Sequence, residues 1–156
     1  MKAVATLWAS ISLVLAACAS SPGSRPASSA GSQDLIGSAC RFAVVEYRGR
    51  SYHVPARLGA QIRLSDNGAY AMNDSVNLDW GKYVSTPRGF KVTETGGTDV
   101  GLPLFQPDAV RQSPRAVLAA ALTKLQYADE VVVSRVADNV ELKLRDFTLR
   151  CNPRPH

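Results

Sequence analysis

The chain has 156 residues, 46% of them hydrophobic and 20% charged, with a formal charge of +5. That length admits one ordinary domain, and that composition excludes the disordered and fibrous classes.

Lys2 is the lone charge ahead of an uncharged run, Ala3 to Ala17, which holds Leu7, Trp8, Ile11, Leu13, Val14 and Leu15. A membrane span needs about 20 apolar residues, so this run suits the apolar core of a signal peptide instead. It ends in Leu15-Ala16-Ala17-Cys18, followed by Ala19 and Ser20. The leucine three residues before a cysteine with small neighbours resembles the bacterial lipobox. That resemblance implies a signal peptide over residues 1–17 and acyl chains on Cys18. An ordinary signal peptide whose cleavage site merely contains a cysteine is the competing reading. One acyl chain binds a bilayer reversibly, whereas two or more anchor stably. Cleavage removes Lys2 and takes the formal charge from +5 to +4. The basic balance suits contact with anionic headgroups, although such a small excess is more often only a solvated surface. Ala19 stands where an Asp is associated with inner-membrane retention. The expected location is therefore the outer membrane of a cell with two membranes, and otherwise the outer face of the plasma membrane.

Residues 18–37 are small and polar and read as a lipidated flexible tether, leaving residues 38–156 as the folded domain. Phe42, Val44, Val45 and Tyr47 mark a first strand, and Arg48-Gly49-Arg50 a turn. Ser51 to Val54 is a short second strand closed by Pro55. Gln61 to Leu64 and Ala69 to Met72 are hairpin partners, and Asn67-Gly68 is expected to supply the positive φ values of the turn between them. Trp80 to Ser85 and Phe90 to Glu94 follow as strands, with Gly96-Gly97 ending the second. Residues 98–112 read as a loop.

One helix is distinct. Ser113 is a natural N-cap, Pro114 fits the first helical position, and Val117, Leu118, Ala121, Leu122 and Leu125 form one apolar stripe. Glu130 to Val136 and Val140 to Leu144 form a last hairpin, and Phe147 to Cys151 closes the sheet. The expected fold is mainly β (α+β): a small antiparallel incomplete barrel with one helix from the C-terminal half packed on it.

Lipidation of Cys18 leaves Cys40 and Cys151, at the front and rear of the folded region. In an oxidising envelope these are expected to form a disulfide, with two free buried thiols as the other reading. Neither lies in a C-x-x-C pair, so redox catalysis is not indicated.

The stretch Asn67-Gly68-Ala69-Tyr70 through Asn77-Leu78-Asp79-Trp80-Gly81-Lys82-Tyr83 resembles the META domain, also called HslJ-like. Gly68, Asn77, Gly81 and Tyr83 fall on the fixed points of that signature. Thr98-Asp99-Val100-Gly101-Leu102 sits where the family often reads Thr-x-Met-Ala-Cys. The family's two cysteines would fall at Val76 and Leu102, both apolar here. The resemblance covers roughly residues 57–150. It implies an envelope protein without known catalysis, linked to stress response and antibiotic tolerance. In the motif itself, Asn77 is expected to bond its own backbone in a turn. Gly81 is expected to permit close approach or a positive φ, and Trp80 and Tyr83 to pack or line the barrel mouth.

No catalytic, metal or cofactor site emerges. His53 and His156 are the only histidines, and neither has ligands at a metal-binding spacing. Asp66, Asp74 and Asp79 lack the order of a calcium loop and read as turn residues. Arg41, Arg48, Arg50, Arg57 and Arg63 make a basic N-terminal third without the interleaved aromatics of a nucleic-acid surface. The leading expectation is a non-catalytic envelope lipoprotein, a binding module tied to stress or antibiotic tolerance. Its partners are the membrane, through the anchor, and an envelope protein or an apolar ligand. Two alternatives stand beside it: a carrier of an apolar molecule or lipid in a barrel cavity, and an assembly chaperone or inhibitor that grips a protein by the helix or an edge strand.

Overall fold

The computed structural model of the chain describes residues 31–98, 100–101, 105–108 and 112–154. In order come β1 (Ala39–Tyr47), β2 (Arg50–His53), β3 (Gln61–Leu64), β4 (Ala69–Asn73), β5 (Leu78–Thr86) and β6 (Gly89–Gly97). The helix α1 (Pro114–Gln126) then precedes β7 (Val131–Val136), β8 (Asn139–Lys143) and β9 (Phe147–Arg154). Every strand pairing is antiparallel. β1 meets β9 from Ala39↔Arg154 to Tyr47↔Phe147, and this closes β1 and β3 to β9 into a ring. On the other edge of β1, β3 and β2 lie end to end, pairing with Ala39–Arg41 and Val44–Tyr47.

The expected barrel with one helix therefore forms, and its incompleteness is confined to one joint. β6 and β7 share only Gly89↔Val132 and Phe90↔Val131. Elsewhere, alternation places one face of each strand inward. On β1 the buried residues are Cys40, Phe42, Val45 and Tyr47, and a bulge between Phe42 and Val44 shifts the phase so that both halves face the core. Tyr70, Phe90 and Phe147 are buried in the same core, while Trp80 is not.

α1 begins as its sequence dictates. The Ser113 side chain accepts a hydrogen bond from the Ala116 N–H at 3.1 Å, and Pro114 occupies the first turn. Substituting such a cap costs about 1 kcal/mol. Val117, Leu118, Ala121, Leu122 and Leu125 are all buried, so the stripe packs on the chain's own sheet, against β1, β2 and β6.

Four details differ from the sequence reading. The ordered chain starts before Ser38: Ser32–Asp34 forms a 3-10 turn, Leu35 is only 1% exposed, and Ile36 bridges Leu64. The apolar pair Leu35-Ile36 thus docks the end of the expected tether onto the barrel. In the β3–β4 turn only Gly68 takes a positive φ, +79°, while its N–H bonds the Ser65 carbonyl. That is a type I turn followed by a glycine bulge, not a two-residue turn. Gly96 and Gly97 do not end β6 but pair with Trp80 and Asp79. The Asn77 side chain, lastly, bonds across the chain to Val100, and only its backbone bonds within the turn.

Candidate binding cleft at the barrel seam

Beyond Phe90, β6 runs on to Gly97 with β5 on one side and, among the described residues, no strand on the other. An antiparallel strand points alternate N–H and C=O groups to its two edges, so this stretch keeps a free edge. α1 lies along the opening. Between its C-terminal half (Leu122, Thr123, Gln126 and Tyr127) and Thr95–Thr98 there is a cleft of about 400 Å³, floored by Asp74, Asn77 and Asp79. A narrower extension of about 250 Å³ continues past Lys91–Thr95 to Asp129 and shares Thr95, Gln126 and Tyr127.

Local hydrogen bonds explain why these residues hold their places. The Asp74 carboxylate accepts from the N–H of Val76 at 2.9 Å and of Asn77 at 2.7 Å, which fixes the β4–β5 turn. Asn77 then clamps the chain beyond β6. Its Nδ2 donates to the Val100 carbonyl at 3.2 Å, and its Oδ1 accepts from the Val100 N–H at 2.8 Å. A buried side-chain amide thereby does the work of a strand partner for a residue 23 positions away. Leu78 N–H donates to Thr98 Oγ1, and Thr98 N–H to the Leu78 carbonyl, both at 3.0 Å.

Two glycines make room. A Cβ on Gly97 would stand 2.3 Å from Asp79 Oδ1, and one on Gly81 would stand 1.9 Å from the Glu94 carbonyl oxygen. The expected close approach at Gly81 is therefore real, and it is between strands. The other fixed points of the motif are structural too. Tyr83 is buried, its N–H donates to the Gly68 carbonyl and its hydroxyl to the Ser65 carbonyl at 2.8 Å.

The cleft is acidic. Asp74 and Asp79 line its main part, where no Lys or Arg stands among the described residues, and Lys91 lines the extension together with Glu94 and Asp129, although the whole chain carries +5. Burial pushes the Asp79 carboxyl above its ordinary range; a hydrogen bond from Gln126 opposes this, and the like charge of Asp74 adds to it. Burial also raises the Tyr70 phenol, against its 2.7 Å bond to Thr95 Oγ1, with the Asp79 charge as a further upward influence. Tyr127 stands at the rim with 73% of its surface exposed. This set of acceptors, hydroxyls and an aromatic ring can bind, and among the described residues it holds no paired nucleophile and base.

Other residues singled out in the sequence lie elsewhere. Cys18 and His156 fall outside the described residues. Cys40 and Cys151 form a disulfide with Cα atoms 5.3 Å apart, fully buried on β1 and β9. His53 ends β2 and is exposed. The five N-terminal arginines divide among three places, with Arg48 and Arg50 lining one pocket and Arg41 and Arg63 on neighbouring rows of one outer face. Arg48 lies 5.1 Å over the Tyr47 ring and 3.6 Å from Asp108, Arg57 sits in the turn after β2, and Arg41 and Arg63 stand on the outside of β1 and β3. Among the described residues no three metal-binding side chains cluster, and no helix is long and apolar enough to cross a membrane. The seam itself escaped the sequence reading. Its only sequence trace is the polar, glycine-rich end of β6, Thr93 to Gly97, which lacks the apolar alternation of a strand covered on one face.

The fold defines a class: a closed antiparallel β-barrel with one helix laid over a partly open joint. No family model and no curated protein matches the chain. Among solved structures it is similar to a protein from Burkholderia xenovorans determined by NMR. The two share 19% identity over 94% of this chain and 100% of the other, with a TM-score of 0.60. At that identity the likeness is one of fold.

Proposed function

We propose that this chain is a lipid-anchored envelope protein of the META-like kind that acts by binding rather than catalysis, with the seam cleft as its binding site. The observation that carries this reading is the acid-lined cleft beside an unpaired strand edge, in a chain whose overall charge is positive. A groove of this size lies within the range of ligand sites, about 300–1,000 Å³. Its floor is built from Asn77 and from the two strands joined by Gly81, both fixed points of the motif, so fold and cleft depend on the same residues. The lipobox-like Leu15-Ala16-Ala17-Cys18 supports the anchor. The family resemblance supports a role in stress or antibiotic tolerance.

Two experiments test the reading. Metabolic labelling with palmitate should mark the full chain and spare the Cys18→Ser variant. A strain lacking the protein should show an envelope-stress or antibiotic phenotype that the wild type restores and the paired variant Asp79→Lys with Thr95→Lys does not. No phenotype, together with no partner captured by crosslinkers placed at Thr95 or Tyr127, counts against it.

A specific observation also favours the protein-gripping reading. The edge of β6 from Lys91 to Gly97 is open to strand addition, the commonest way an extended segment joins a sheet. The apolar-carrier reading finds less support, because side chains such as Phe42, Phe90, Tyr70 and Phe147 fill the barrel interior.

A further inference from the structure

A second feature lies on the outer surface of the barrel, on the strands ahead of the seam. A cross-strand row there runs Arg154, Ala39, Arg63, Ala71, Trp80 and ends on Gly96. The row beside it runs Asn152, Arg41, Gln61, Asn73, Leu78. Neither row contains an acid. Arg63 and Arg154 are exposed, and Trp80 and Leu78 are each 48% exposed. The indole lies over Gly96, where a Cβ would stand 3.5 Å from its Nε1. Small residues at 39 and 71 leave the arginines and the tryptophan as the prominent features of the face. Val76, in the turn that leads into Leu78, is 40% exposed.

We propose that this face rests on an anionic lipid bilayer, with Trp80 and Leu78 entering the headgroup boundary and Arg63, Arg154 and Arg41 lying over acidic headgroups. Indole rings favour that boundary because they are apolar with one polar N–H. Arginines reach acidic headgroups while their stems lie on apolar surface. The length of chain ahead of the barrel fits this occupant. Ser32 enters the fold by bonding Ser85 on β5, the strand that carries Trp80, at 2.9 Å. From Ser85 to Trp80 is roughly 17 Å along the strand. Fourteen residues of sequence lead from Cys18 to Ser32, and a flexible chain of that length spans roughly 20 Å on average. An anchor at Cys18 thus holds this face within reach of the bilayer. The biological setting rests on the lipid-anchored reading, whereas the chemistry of the face does not.

The test uses residues 31–156, which keep every strand of the barrel, the helix and the disulfide, with Trp80 as the sole tryptophan and no acyl group. Vesicles of mixed phosphatidylcholine and phosphatidylglycerol should shift the Trp80 emission to the blue, and brominated acyl chains should quench it. Pure phosphatidylcholine should do neither. Arg63→Glu combined with Arg154→Glu should weaken binding roughly tenfold or more, while Arg145→Glu, in the β8–β9 turn, leaves it little changed. An unshifted Trp80 emission with anionic vesicles overturns the proposal, and so does undiminished binding by a folded double variant. Should that variant fold poorly, salt reads the same interaction in the unaltered barrel, and binding that is insensitive to salt overturns the proposal. The mass of the full chain recovered from membranes reports Cys18 separately. An unmodified Cys18 would remove the anchor and leave the face standing.

Discussion

The two joints of this barrel are built in opposite ways. At β1–β9 the strands pair along their whole length, from Ala39 to Tyr47, and a buried disulfide joins them. On the outside of that joint Arg150 bonds Glu46 at 3.0 Å and Glu141 at 2.8 Å. At β6–β7 two residue pairs suffice, helped by Arg88 and Thr86 bonding Glu130. The rest of that joint is covered by a helix, and a helix can bury apolar side chains but cannot complete a strand ladder. Closure by hydrogen bonds and a covalent link gives a sealed wall. Closure by packing alone leaves a cleft and a free edge, and Asp74 and Asp79 line that cleft.

The largest effect is therefore expected at the sealed joint. Replacing Cys40 and Cys151 by Ala together should destabilise the barrel by about 2–5 kcal/mol, read as a fall in the denaturant midpoint. Gly89→Ala probes the seam. Its Cβ would stand 2.0 Å from the Val131 carbonyl oxygen and must push β6 from β7. A loss of about 1–3 kcal/mol is expected, the usual cost of overpacking. Faster hydrogen exchange should be confined to β6 and β7. If the seam variant proves as damaging as loss of the disulfide, the contrast between the joints is wrong.

Most strands were legible because their buried residues alternate: Gln61–Leu64 forms β3 with the expected bounds, and Ser113-Pro114 starts α1 where the cap and the fixed proline φ require. The Cys40–Cys151 pair was legible from the count of cysteines and the compartment expected from the lipobox-like stretch. What remained hidden depends on partners distant in sequence. Gly96-Gly97 carry no side chains, so they look like a break, yet their bareness is what admits Trp80 and Asp79. Leu35 and Ile36 are two apolar residues in a polar stretch, too few to show a period, and only the groove beside Leu64 gives them a role. Asn77 reads as a turn residue because nothing local reveals Val100 as its partner. The cleft follows from which strand fails to pair, and an individual strand sequence does not encode that.

Acid and alkali should act on Glu141 at the sealed joint and on Asp79 in the cleft in opposite senses; Glu130, in the seam itself, is held low like Glu141, by its bonds from Thr86 and Arg88. Burial favours the protonated form of Glu141, but the hydrogen bonds and charges of Arg150 and Lys143 outweigh it and hold its carboxyl below the ordinary range. Such a group adds stability above the unfolded carboxylate value, about 4.3, and loses it as pH falls through the lower folded value. Glu141→Gln should cost about 1–2 kcal/mol at neutral pH and remove that part of the acid sensitivity.

Asp79 runs the other way. Its raised carboxyl means that the folded chain holds the proton more tightly than the unfolded chain does. Its contribution is present below about 3.9, the unfolded value, and is lost as pH rises through the raised folded value. Above that window the ionised group is a small net cost, kept where a cationic group from outside could offset it. Asp79→Asn should then raise neutral stability slightly, by about 0.5 kcal/mol at most, and flatten the curve on the weakly acidic side. Denaturant midpoints of both variants across pH 3 to 8 measure the two slopes. Slopes of the same sign would mean that the cleft acid is held by the fold like any wall residue, and the case for keeping it free for a ligand would fail.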